Sequence, residues 1–158
     1  MAPRHALTSA GSVLVGVLAV SLLGVAAPAA SIGASAARLP VLGSKAYSLP
    51  GSTGFGTYKP SEIFNGGDPS GRVQGITWTG WGTAQSYGYG KSSIFMPNGG
   101  YYPGLVRVEL RASNLGHCTT GGPLAYERLA AREPSHPGGP LGAWFAWAGS
   151  KTICRSLS

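Results

Sequence analysis

Between Leu105 and Arg111 the chain alternates without a break. Val106, Val108 and Leu110 are apolar, and Arg107, Glu109 and Arg111 are charged. A period of two puts one set against a core and the other in water, which predicts a half-buried β-strand. Weaker versions of the pattern recur along the chain. Ser61–Phe64 runs into Asn65–Gly71, "NGGDPSG", a strong turn cluster. Arg72–Thr79 follows as a second strand, with Ile76 and Trp78 sharing a face with Gln74, and Val73 set against Gly75. Ala143–Trp147 and Lys151–Cys154 read together as a closing hairpin. Leu124–Glu133 is ambiguous. Its helix formers and the spacing of Tyr126 and Leu129 suit a helix, while Pro123 and Pro134 bracket it closely and suit a strand. Proline recurs from Pro50 to Pro140 and glycine is frequent, so long helices do not survive. Short strands between turns predict a mainly β fold, a small antiparallel β-sandwich or barrel.

The N-terminus departs from this pattern. Arg4 and His5 precede an apolar run from Val13 to Ala27, then the small-residue exits Ala27-Pro28-Ala29 and Ala34-Ser35-Ala36. Basic start, apolar middle and small exit describe a signal peptide, cleaved near residue 29 or 36. Residues 1–36 are thus expected to be leader and cleavage region, and 37–158 a single secreted β domain. The competing reading, an uncleaved anchor, needs roughly 20 apolar residues, and this run is at the lower limit. No stable membrane anchor is expected after cleavage. No lipoprotein cysteine or twin arginine accompanies the run.

Export changes the meaning of the remaining residues. The full chain carries 12 Lys and Arg against 5 Asp and Glu, and loss of Arg4 leaves 11 − 5 = +6. The cations are scattered rather than striped, which argues against nucleic acid. Anionic envelope polymers, or solubility alone, fit a weakly basic extracellular surface better. Cys118 and Cys154 are the only two cysteines. In an oxidising compartment they are expected to form a disulfide. A metal site using Cys118 and His117 lacks further ligands, since His136 is the only other histidine past the leader.

The richest candidate surface is Ile76–Gly90, "ITWTGWGTAQSYGYG", with four aromatic residues in fifteen positions. Ile76 and Trp78 are expected in the core. In an extended chain Trp81 points away from Trp78 unless Gly80 hosts a bulge. Tyr87 and Tyr89 share one face, with Ser86, Gly88 and Gly90 on the other. Trp81, Tyr87 and Tyr89 are therefore the candidate binding residues, a platform that would stack on sugar rings. The alternative is that these rings pack in or cap the core.

Catalytic chemistry is thin. A serine triad lacks a histidine placed by an acid, for Asp68 is the only aspartate and His136 sits in the Ser135–Pro137 loop. Glu109 and Glu127 could pair for glycoside chemistry, yet Glu109 alternates with Arg107 and Arg111, which reads as a solvated strand face with cross-strand pairs. Gly80-x-Gly82 has no helix after it to bind a phosphate, and no cofactor is expected. The layout Ile76-x-Trp78-x-x-Trp81-Gly82, Gly88-x-Gly90, Val106-x-Val108-x-Leu110 and Tyr126-x-Arg128-Leu129 resembles small uncharacterised secreted β-domain proteins of actinobacteria, over residues 61–129. The resemblance implies a strand at Tyr126–Leu129 and carries no activity. The expected function is a non-catalytic binding module at the cell envelope or outside the cell, with envelope polysaccharide or another extracellular protein as partner. The alternatives are a secreted hydrolase, or an inhibitor-like effector that uses the proline-rich loop 132–142.

Overall fold

A computed structural model describes residues 39–149 and 151–155. The expected leader lies outside the described residues. Seven strands form one sheet: β1 (Val41–Leu42), β2 (Glu62–Phe64), β3 (Arg72–Thr79), β4 (Gln85–Ser92), β5 (Val106–His117), β6 (Leu124–Arg132) and β7 (Phe145–Ala146). Their order is β1-β6-β5-β4-β3-β2, with β7 also paired to β6. All pairings are antiparallel except β1 with β6. The described residues contain three short 3₁₀ turns and no α-helix, and no helix long and apolar enough to cross a membrane.

The architecture is a curled open sheet, a half-barrel, rather than two stacked sheets. Its concave face holds the core: Leu42, Ile63, Val73, Ile76, Trp78, Val108, Leu110, Tyr126 and Leu129 among others. The curl has a cause in β4, whose buried positions are Ser86, Gly88, Gly90 and Ser92. A Cβ on Gly90 would lie 2.6 Å from Val73 Cγ1, and one on Gly88 would lie 2.9 Å from the Trp78 ring. With no side chains there, the large groups of β3 lie across β4 and the sheet bends inward around them. The two outer strands are not left bare. Thr53 bridges Phe64 of β2, while Leu42 of β1 donates to Thr57 O (2.9 Å) and accepts from Gly56 N (2.7 Å).

Two irregularities decide which residues reach the core. The register between β3 and β4 shifts between Gln74 and Thr77, where Gly75 has φ +65°. Val73 therefore shares the buried face with Ile76 and Trp78, and Gln74 is not on it. The bulge falls at Gly75 rather than at Gly80, because β3 ends at Thr79 and Gly80 belongs to the turn. The ambiguous segment 124–133 is strand β6. Tyr126 and Leu129 are both buried although three positions apart, so the inward–outward alternation reverses between them. The facing residue of β5, Asn114, has a left-handed φ of +60°.

The C-terminal stretch is not the expected hairpin. Only Phe145 and Ala146 pair with β6, and Trp147–Gly149 turns away as 3₁₀. Proline and glycine before β7 leave too little chain for a longer strand. Residues 151–155 are held by other means. Ile153 N donates to Glu127 O (2.8 Å), Ile153 is buried, and Cys154 is joined to Cys118 with Cα atoms 4.7 Å apart. The expected disulfide is present, and it ties the end of β5 to this segment.

Candidate functional site

The three aromatic candidates do not form one platform. Trp81 sits in the β3–β4 turn, which folds it to the concave side. Its indole N–H donates to Pro40 O (2.7 Å), and its ring packs edge-on against Trp78 (4.9 Å) and Tyr126 (5.0 Å). Tyr126 completes the arrangement. Its hydroxyl donates to Thr83 O and accepts from Gly82 N, both at 2.8 Å, so a fully buried side chain of β6 fixes the turn. Burial raises the Tyr126 phenol above its ordinary pKa, which keeps it a neutral donor. Trp78 is 8% exposed and donates to Pro60 O (2.8 Å), the structural role expected of it. A parity rule for strands cannot place Trp81, because Trp81 is not in a strand.

Tyr87 and Tyr89 do lie on the convex face, 37% and 39% exposed. The register sets their surroundings. Tyr87 is opposite Arg111, Tyr89 opposite Glu109, and Lys91 opposite Arg107, while on the next strand Glu109 faces Arg132 and Ser113 faces Arg128. The convex face of β4, β5 and β6 thus carries Lys91, Arg107, Arg111, Arg128 and Arg132 against Glu109 and Glu127, a balance of 5 − 2 = +3. Glu109 is not the solvated residue its alternation suggested. It is 6% exposed, bound by Arg107 (2.5 Å) and by Arg132 Nε (2.9 Å) and Nη2 (2.6 Å). Neighbouring long side chains cover it, and the two guanidiniums supply the partners a buried carboxylate needs.

Rings hold the same arginines from the other side. Arg107 lies 5.5 Å from the Tyr89 ring centre, and Trp144 has Arg111 at 4.7 Å and Arg132 at 4.8 Å. Tyr87 approaches Trp144 at 6.4 Å. Guanidinium planes stack readily on aromatic faces, which limits their rotamers before any ligand arrives. A cleft of about 500 Å³ opens here between Arg111, Arg128, Trp144, Phe145 and Lys151. Sequence reasoning missed Trp144 and the arginines as a group. The signal available was the charged face of β5, which was read as solvated.

The catalytic candidates separate. Glu109 faces Arg132, five residues beyond Glu127 on β6, so the two carboxylates lie about 16 Å apart along the strand, too far for a glycosidase pair. Asp68 caps the Pro69–Gly71 turn, and the Ser70 hydroxyl and amide hold its carboxyl below the ordinary carboxylate range. His136 meets Ser135 Oγ (3.1 Å), in a loop closed by the Pro134–Leu141 bridge, with no acid beside it among the described residues' hydrogen bonds. The described residues hold no cluster of three metal-ligating side chains. His117 and Glu127, in contrast, line one polar cleft beside the disulfide. No protein-family model, curated protein or solved structure matches the chain.

Proposed function

We propose that this protein is an exported, non-catalytic binding module whose convex face, β4 to β6, takes an acidic polysaccharide of the cell envelope. The observation that supports this most is the juxtaposition of half-exposed Tyr87 and Tyr89 with arginines held by Glu109 and by ring stacking. Pyranose rings offer apolar C–H faces that stack on aromatic rings. Their carboxylate or phosphate groups suit the planar fork of arginine, which binds oxyanions through two parallel N–H bonds. Trp81 takes no part in this surface.

Co-sedimentation with insoluble acidic and neutral polysaccharides tests the reading. The protein is expected to be retained on the acidic polymer, less so at high salt, with Arg111→Gln and Tyr89→Ala each weakening retention at unchanged melting temperature. Equal retention on both polymers, or none on either, overturns it. A second reading, a secreted hydrolase, rests on the shared cleft of His117 and Glu127. It requires turnover of an ester or glycoside that His117→Ala abolishes.

A further inference from the structure

The cleft beside the disulfide is separate from the convex-face rings and has a different composition. Its volume is about 480 Å³, and its lining includes His117, Glu127, Arg128, Lys151, Thr152 and Arg155. The cations come from two directions. Arg128 is on β6, and Lys151 and Arg155 are on the segment after β7. Three cations against Glu127 leave a balance of 3 − 1 = +2 in the cleft. The carboxylate is not a competing centre of equal reach, because Asn114 Nδ2 donates to Glu127 Oε2 (2.5 Å) and occupies that oxygen.

The site is built rather than incidental. Residues 151–155 do not pair as a strand, yet they are fixed at three points, two on β6 and one just past the end of β5. Ile153 N donates to Glu127 O (2.8 Å), Thr152 Oγ1 donates to the same carbonyl (3.0 Å), and Cys154 is bonded to Cys118. Lys151 and Arg155 flank this anchored stretch on either side. His117 is oriented too. Its Nδ1 lies 2.8 Å from Gly122 O, and a carbonyl only accepts, so Nδ1 carries a proton and the ring is fixed at the edge of the cleft.

We infer that this cleft is a binding site for a tetrahedral oxyanion of charge −2, the phosphate monoester or sulfate type. The charge matches the +2 balance. Cations arriving from β6 and from the C-terminal segment suit an anion whose oxygens point in several directions, which a planar carboxylate does not offer. Arg128 and Lys151 line both this cleft and the one beside Trp144, whereas Arg155 lines this one and Arg111 the other, so Arg155 and Arg111 separate the two readings.

Calorimetric titration of the intact protein with inorganic phosphate, sulfate and acetate at low ionic strength decides it. Saturable binding of phosphate and sulfate, and none of acetate at the same concentration, is expected. The double variant Lys151→Gln/Arg155→Gln should weaken phosphate by about tenfold or more, the loss anticipated for charge-assisted bonds. Arg111→Gln, on the convex face, should leave phosphate affinity within about twofold of wild type. The double variant alters exposed side chains and Arg111→Gln a half-buried one, and unchanged circular dichroism checks that both fold. No saturable phosphate binding, binding indifferent to the double variant, or acetate binding as tight as phosphate each overturns the inference. Failure of polysaccharide retention with phosphate binding intact removes the convex-face reading and leaves this one standing.

Discussion

Trp81 donates to Pro40 O and packs against Trp78 and Tyr126, so its removal opens a gap beside the core rather than a gap in a binding surface. Trp78→Ala is expected to cost about 3–5 kcal/mol, as large aromatic truncations in cores do. Trp81→Ala, at a half-buried site, should cost about 2–3 kcal/mol on the same scale. Denaturant unfolding of the two variants checks this, and a Trp81→Ala protein of wild-type stability would return that ring to the surface. Glu133 offers a second residue-scale test. Burial raises its carboxyl above the ordinary range, so the folded state favours the protonated form. Any stability Glu133 contributes is therefore present at low pH and lost as pH rises through its folded pKa. Glu133→Gln should accordingly raise the melting temperature at neutral pH. Its advantage over wild type should shrink as pH falls into the carboxylate range. Thermal melts across that range read the effect, and a constant difference at all pH values would contradict it.

At the scale of elements, the strands of strict alternation were legible and the places where alternation breaks were not. β4 and the first half of β5 follow from a period of two alone, and Tyr87, Tyr89, Val108 and Leu110 fall where that period puts them. Val73 and Leu129 do not, because a bulge at Gly75 and a reversal near Asn114 shift the count by one; a glycine within a strand marks a possible bulge, but Gly75 and Gly80 offer it equally. Glu109 was misread for a different reason. It has the cross-strand partner its alternation suggests, Arg132, but it is buried rather than solvated because Arg107 and Arg132 cover it. Two element-scale outcomes follow. Gly90→Ala puts a Cβ into Val73 and should cost about 1–3 kcal/mol by overpacking, with Ser92→Ala a milder comparison. Replacing Cys118 and Cys154 by serine removes a closure of 36 positions and should cost about 4 kcal/mol in the chain-entropy account. Equilibrium unfolding of both variants under one set of conditions ranks them. A serine pair as stable as wild type would show that the hydrogen bonds of Thr152 and Ile153 and the burial of Ile153 suffice to hold the C-terminal segment.

At the scale of the whole molecule, one half-barrel carries a concave core and a cationic convex face, while the expected leader, residues 1–36, falls outside the described residues. Export is proposed from the sequence of that leader. N-terminal sequencing of protein recovered from culture medium should begin near residue 30 or 37, and full-length chain in the membrane fraction would refute it. The topology bears on the timing of such a journey. Val41 of β1 pairs with Ala125 of β6, 125 − 41 = 84 positions later. A chain made from its N-terminus presents β1 early and its partner late, so Leu42 has no core to enter until most of the domain has been synthesised. Pairings this distant in sequence also slow folding once the chain is complete. A protein that must thread a narrow channel before folding benefits from that delay. In the proposed export, the parallel pairing of the first and sixth strands would hold the core open until β6, Leu124–Arg132, has been made.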